Sequence, residues 1–178
     1  MHRKLKNIEL NRLTVDEFKI AQKLPLCVVL DNVRSMLNVG SVFRTSDAFR
    51  LEHLYLCGIT AKPPHRDITK SAIGAEQSVD WTHHADTKTV INDLKSKGYE
   101  ILSVEQTENA VPLDEFNFKP SAKYAIILGN EVDGVSQEVI DMSDSILEIP
   151  QLGTKHSLNI SVCAGVILWE AAKPNLHG

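Results

Sequence analysis

Three stretches of this 178-residue chain set amide, carboxylate, hydroxyl or guanidinium side chains beside glycines where apolar runs end. The first runs from Leu30 to Thr45: a strand end, a polar turn, then a helix start. In it Asn38 suits a helix N-cap, Gly40 permits close backbone approach, and Arg44 projects from the first turns, near N–H groups that favour anions. A phosphate and an arginine can meet there. Taken alone, the segment reads better as a capped helix with surface arginines, Arg34 and Arg44.

The second stretch, Ile127-Leu128-Gly129-Asn130-Glu131-Val132-Asp133-Gly134-Val135-Ser136, is again strand, glycine-bounded loop and helix start. It has the two glycines of a phosphate loop, but Val135 stands where that motif needs lysine, and GNEVDG does not match GxGxxG. Nucleoside-triphosphate chemistry is therefore disfavoured. Glycines flanking Glu131 point instead to a tight loop that wraps a ligand with backbone groups and aims a carboxylate inward. The third stretch ends a strand at Ile149-Pro150, pivots on Gly153, and opens a helix at Ser157 with Asn159 one turn inside. Polar groups there need partners, either a ligand or the neighbouring loop.

The elements that must position these segments alternate. Apolar runs of strand length lie at 24–30, 53–57, 99–104, 123–128 and 145–149, and helix candidates at 39–50, 67–74, 87–98, 136–142 and 158–173. Strand then helix, repeated, predicts an α/β fold with a mainly parallel sheet flanked by helices, whose ligands bind at the carboxyl ends of the strands. Thr14 and Glu17 have the spacing of a capping box opening a short helix through Lys23. Residues 1–24 are thus expected to form a short N-terminal helical extension and 25–178 a single domain. Pro63-Pro64 and Pro112 mark loops. The 158–173 helix is apolar nearly all the way round and calls for two covers, the sheet and either a second subunit or a deep place in its own core.

Composition narrows the classes. With 43% hydrophobic and 24% charged residues the chain is an ordinary globular one, and no stretch approaches the roughly 20 apolar residues that span a bilayer. Cys27, Cys57 and Cys163 are far apart and set among apolar neighbours, so they read as buried thiols in a reducing, cytoplasmic setting, with no CxxC pair to hold a metal. His83 and His84 adjoin on a strand and point to opposite faces, which excludes a shared metal site, whereas His156 can line a site next to Ser157. No metal is expected. Net charge is −4, but residues 1–70 carry 12 Lys+Arg against 7 Asp+Glu, leaving −9 for the rest. Any polyanion contact therefore belongs to the first part of the chain, where Arg34, Arg44, Arg66 and Lys70 are the candidates.

Together, Asn38-Val39-Gly40-Ser41 with Phe43-Arg44-Thr45, Leu128-Gly129-Asn130-Glu131 with Gly134, and Ile149-Pro150 with Ser157-Leu158-Asn159-Ile160-Ser161 resemble the SpoU (TrmH) family of the SPOUT superfamily, from about Leu26 to Ala172. That resemblance implies a trefoil knot formed by the C-terminal stretch, against the usual rule on threaded chains. It implies S-adenosylmethionine held by Leu128, Gly129, Ile149, Pro150 and Leu158, with Glu105 and Gln106 closing over it and its methyl group facing Arg44. It also implies methylation of a ribose 2′-hydroxyl in a structured RNA. The apolar 158–173 helix adds the expectation of a homodimer.

Arg44 is then the catalytic residue, with Asn38, Glu131, Ser157 and Asn159 arranged around it. A guanidinium has a pKa above about 12, so Arg44 acts either as a base after a large depression or, with less demand, as a stabiliser of the developing alkoxide. The shortness of the segment before the first strand favours tRNA over rRNA. The competing reading is a non-catalytic RNA-binding or assembly factor on the same fold, against which the presence of both Arg44 and Glu131 argues. A hydrolase is disfavoured by the lack of a serine elbow or an activated cysteine.

Overall fold

The computed structural model describes residues 2–176. Seven strands, β1 (Leu24–Asp31), β2 (Leu51–Cys57), β3 (Trp81–His84), β4 (Glu100–Val104), β5 (Val111–Pro112), β6 (Tyr124–Leu128) and β7 (Ser145–Glu148), form one parallel sheet in the order β3-β2-β1-β6-β4-β7-β5. The helices are α1 (Val15–Ile20), α2 (Met36–Ala48), α3 (Arg66–Ala72), α4 (Ala75–Ser78), α5 (Thr87–Ser96), α6 (Gln137–Met142) and α7 (Ile160–Ala172). Short 3-10 turns occupy Asn7–Leu10 and Lys173–Asn175.

The continuous apolar runs form the middle of the sheet because it is covered on both sides. Val28 and Leu30 of β1 and Ile126 and Leu128 of β6 pack with Val39, Val42 and Phe43 of α2 and with Ala164, Ile167 and Leu168 of α7. Their strand neighbours Cys27, Val29, Ala125 and Ile127 pack with Val90, Ile91 and Leu94 of α5 and Val139 of α6. Each large side chain so buried contributes roughly 1.5–3 kcal/mol, which makes the two central strands a rigid base for the loops at their carboxyl ends. The expected front helix is present but ends at Ile20, short of Lys23, because Ala21 turns to extended backbone; its Thr14–Glu17 capping box is formed in both directions and Phe18 is buried in the main core.

Some boundaries differ from expectation, for physical reasons. The cap of α2 is Ser35, whose hydroxyl accepts from the Asn38 N–H at 3.3 Å, so Asn38 lies inside the first turn with its amide free for other work. Asn159 is the cap of α7, and Ser157 precedes the helix instead of opening it. Helix α3 stops at Ala72 because Ile73 and Gly74 both adopt left-handed backbone, after which the brief α4 follows. Pro112, read as a loop marker, lies in β5 at the sheet edge, where a missing N–H is tolerated. No helix among the described residues is long and apolar enough to cross a membrane. Among the described residues, no three His, Cys, Asp or Glu side chains gather as a metal site would require.

Candidate active site

The carboxyl ends of β4, β6 and β7 open into a cavity of about 460 Å³. Its walls are the loop after β4 (Val104–Gln106), the glycine-bounded loop after β6 (Leu128–Gly134), the end of β7 (Leu147–Ile149), and the approach to α7 (His156–Ile160, with Cys163 on the helix). All three stretches singled out by residue type bear on this region, but only the second and third line the cavity.

The β6 loop is tight because Asn130 and Gly134 exchange backbone hydrogen bonds of 2.9 and 3.0 Å. The Asn130 amide oxygen accepts from the Val132 and Asp133 N–H groups, while its Nδ2 donates to the Asn32 carbonyl at 2.8 Å. An asparagine side chain here stands in for backbone, as in turns. A Cβ on Gly129 would lie 2.2 Å from the Gly134 carbonyl carbon, and one on Gly134 would lie 2.1 Å from Glu105 Oε2. A side chain at Gly129 would strike backbone and open the loop, whereas one at Gly134, where φ is 68°, would strain the backbone and push the Glu105 carboxylate aside. Glu105 accepts from the Val135 N–H at 2.9 Å and the Gln106 N–H at 2.9 Å, so it buttresses the cavity wall.

A polar chain then joins all three stretches. Glu131 accepts from the Arg34 and Ser35 N–H groups, both at 2.9 Å, and from Asn38 Nδ2 at 3.0 Å. Asn38 Oδ1 in turn accepts from Asn159 Nδ2 at 3.2 Å, and Asn159 Oδ1 accepts from the N–H and hydroxyl of Ser161 at 2.9 and 2.7 Å. Both amide orientations follow from the carboxylate, which can only accept when ionised. Burial pushes the Glu131 pKa up, but the three donors outweigh it and hold the carboxyl below its ordinary value. A carboxylate with three donors is poorly suited to removing a proton. It acts as a clamp.

Arg44 is exposed on α2 and does not line the cavity. At 1.5 Å per residue it lies roughly 9 Å along the helix axis from Asn38, beyond the first turns in which it was expected. Gly40 does permit a close approach, but the approaching element is α3: a Cβ would meet Ser71 Oγ at 2.2 Å and the Ile68 carbonyl at 2.3 Å.

A model of the SpoU rRNA methylase family matches residues 25–169. The chain belongs to the SpoU family. The tRNA (guanosine(18)-2′-O)-methyltransferase of Thermus thermophilus is 31% identical over 169 residues, which cover 94% of this chain and 84% of the relative. The 23S rRNA (guanosine-2′-O-)-methyltransferase of Vibrio parahaemolyticus is 27% identical, over 94% of this chain and 67% of the relative. Among solved structures, the AdoMet-bound rRNA methyltransferase of Sinorhizobium meliloti superposes with a TM-score of 0.80 at 25% identity, over 88% of this chain and 59% of that longer one.

Within this SpoU domain the residues expected at the site divide clearly. Leu128, Gly129, Glu131, Ile149, Ser157, Leu158 and Asn159 line the cavity, as do Glu105 and Gln106, while Pro150, Asn38 and Arg44 do not. Gln106 Nε2 donates to the His156 carbonyl at 3.0 Å, joining two loops that line the cavity, and His156 lines it too. The Arg34 guanidinium lies 3.8 Å from Asp133 on the surface, where an ion pair adds little. Arg66 and Lys70 are exposed on α3.

Asn130 and Cys163 were missed as site residues. The only signal for Asn130 is its place in a glycine-bounded loop, and Cys163, set among apolar residues, reads as a core thiol but is half-buried on the cavity wall. Burial, aided by the nearby Glu105 carboxylate, pushes the Cys163 thiol up to about 11, and burial pushes Cys27 and Cys57 to about 12, so none is a ready nucleophile.

Proposed function

We propose that this chain methylates the 2′-oxygen of a ribose in RNA, with S-adenosylmethionine as donor. The observation that carries the reading is the cavity at the ends of β4, β6 and β7, tied through Glu131, Asn38 and Asn159 to the helix that bears Arg44. Its size suits a small-molecule cofactor. Leu128, Leu147, Ile149, Leu158 and Ile160 offer an apolar surface for a flat heterocycle, and the backbone of the β6 loop offers polar groups beside it. The bound-donor relative from Sinorhizobium meliloti supports the same cofactor.

When bound, S-adenosylmethionine supplies a methyl group on a positively charged sulfur. The protein's own contribution is positioning and charge. Glu131 holds the turn before α2 and, through Asn38 and Asn159, the start of α7, so the cavity wall and α2 move as one body. Arg44 sits on that body with a permanent positive charge, suited to stabilise the 2′-oxygen as it loses its proton and to hold the adjacent phosphate. The threading of the C-terminal stretch past the β4 and β6 loops, expected of the family, belongs to the same reading. So does a location in the cytoplasm, supported by three free thiols.

Homodimerisation is supported by α7. Its inner side is buried by the sheet and α2, while Val162, Val166 and Trp169 remain 52%, 38% and 47% exposed at spacings of four and three that put them on one stripe. A second copy is the cover this stripe fits, by the symmetry that lets a small apolar face pair with itself. Of the RNA classes named among the relatives, tRNA is favoured because the tRNA-modifying relative from Thermus matches over more of its own length.

Calorimetry with S-adenosylmethionine and its demethylated product tests the cofactor, with thermal stabilisation growing with ligand concentration as mass action requires. Absence of binding at millimolar ligand contradicts the proposal.

A further inference from the structure

Arg3 and Arg34 are ion-paired, and Lys119, Lys123 and Lys155 are exposed without an ion pair; two further groups of cations differ by region. Lys88, Lys95, Lys97 and Lys173 each face a carboxylate, from Glu138, Asp144, Asp93 and Glu170 in turn. Among the described residues, Arg44, Arg50, Lys62, Arg66 and Lys70 are exposed and make no ion pair. A run of unpaired cations in a chain of net charge −4 is a basic surface on an acidic protein, which is how a polyanion is recognised locally.

The fold gives part of that surface a fixed shape. Because Gly40 lacks a Cβ, α3 lies directly against α2, the helix that carries Arg44, with its Ile68 and Ser71 side inward and Arg66 and Lys70 on the outer side. Arg66 and Lys70, four residues apart, share one side of α3, and Ile73 follows at the carboxyl end of the helix as its cap. Asp67, the one carboxylate of α3, is half-buried and a quarter-turn off the Arg66–Lys70 side.

Ile73 is the anomaly. It holds a left-handed backbone, φ 53° and ψ 43°, where a β-branched side chain is crowded, and its side chain is 68% exposed. No burial offsets that strain. An apolar side chain held out under strain beside unpaired cations suits a surface where phosphates are gripped and an unstacked base rests on an apolar contact.

We infer that the outer side of α3 is an RNA-docking ridge, on which Arg66 and Lys70 bind backbone phosphates near the modified ribose and Ile73 packs against an unpaired base. The inference rests on the reading of the chain as an RNA methyltransferase. RNA is favoured over an acidic protein because α3 packs on α2, the helix that carries Arg44, the residue assigned to the ribose and its phosphate.

Binding of in vitro transcribed tRNA, measured across a salt series, tests the ridge. Arg66→Ala with Lys70→Ala weakens binding about tenfold or more and lowers the slope of log affinity against log salt by about 2, with S-adenosylmethionine affinity unchanged. Lys97→Ala, which removes a paired cation, leaves tRNA affinity within about twofold of wild type by the same counterion argument.

Ile73→Asn, whose side chain tolerates the left-handed region, keeps or raises Tm, weakens tRNA binding severalfold and leaves the salt slope alone. Ile73→Gly, free of the same strain, gives the same pair of signs and decides the matter should the asparagine variant not fold. Variants that bind tRNA as wild type does overturn the ridge alone. Wild-type protein that binds neither tRNA nor ribosomal RNA at low salt overturns the RNA methyltransferase reading on which the ridge depends.

Discussion

At the scale of single residues, the roles of Arg44, Leu158 and Glu131 separate cleanly. Arg44 lies outside the cavity wall, so Arg44→Ala is expected to abolish methyl transfer, a loss of at least about a hundredfold by analogy with removal of a transition-state donor, while S-adenosylmethionine affinity stays within about twofold. Leu158 is part of the wall, and Leu158→Arg puts an unpaired charge against apolar surface and removes donor binding. Calorimetry beside single-turnover kinetics distinguishes the two; near-normal turnover in Arg44→Ala contradicts its assigned role.

Glu131 makes a pH-dependent contribution of known sign. Its folded-state pKa is lowered, so the stability it adds is full above the ordinary carboxylate pKa of about 4.3 and is lost as pH falls through the folded value. Glu131→Gln turns an amide group toward backbone donors and costs about 1 kcal/mol after solvent screening. The Tm gap between wild type and this variant is expected at neutral pH and should narrow in acid below about pH 4. A gap independent of pH contradicts the clamp.

At the scale of elements, the α2–α3 contact has no room for another atom. Gly40→Ala meets Ser71 Oγ and the Ile68 carbonyl, the latter being backbone that cannot rotate away, and is expected to cost about 1–3 kcal/mol by denaturant unfolding. An unchanged midpoint contradicts that packing. The strands were legible in the sequence because both faces of β1 and β6 are covered and their residues read as unbroken apolar runs.

Helix starts were less legible. Ser35 and Asn38, or Ser157 and Asn159, are all good capping types, and which one caps is decided by backbone geometry that residue type does not encode. The short elements α4 and β5 carry too few residues for any period. The third and second stretches were recognisable as cavity walls from their glycines and strand ends. The clamp was not, since it depends on hydrogen bonds between residues 93 and 121 positions apart, Asn38 to Glu131 and Asn159 to Asn38.

At the scale of the whole molecule, the stripe on α7 and the product of the reaction carry the account. Trp169→Glu places a charge at the carboxyl end of the proposed subunit contact and is expected to shift the protein from dimer to monomer in sedimentation velocity at micromolar concentration. Wild-type protein that sediments as a monomer there contradicts the dimer.

The central claim, a methyl group delivered to a ribose oxygen, is tested most directly by nucleoside mass spectrometry of RNA from cells with and without the gene, paired with alkaline cleavage of the modified RNA. The 2′-hydroxyl is the internal nucleophile of alkaline RNA cleavage, so its methylation leaves one phosphodiester, 3′ to the modified residue, resistant to alkali. The account predicts a 2′-O-methylnucleoside that is lost with the gene and a new alkali-resistant linkage at its position. A methyl group on a base, with alkaline cleavage unchanged there, contradicts it.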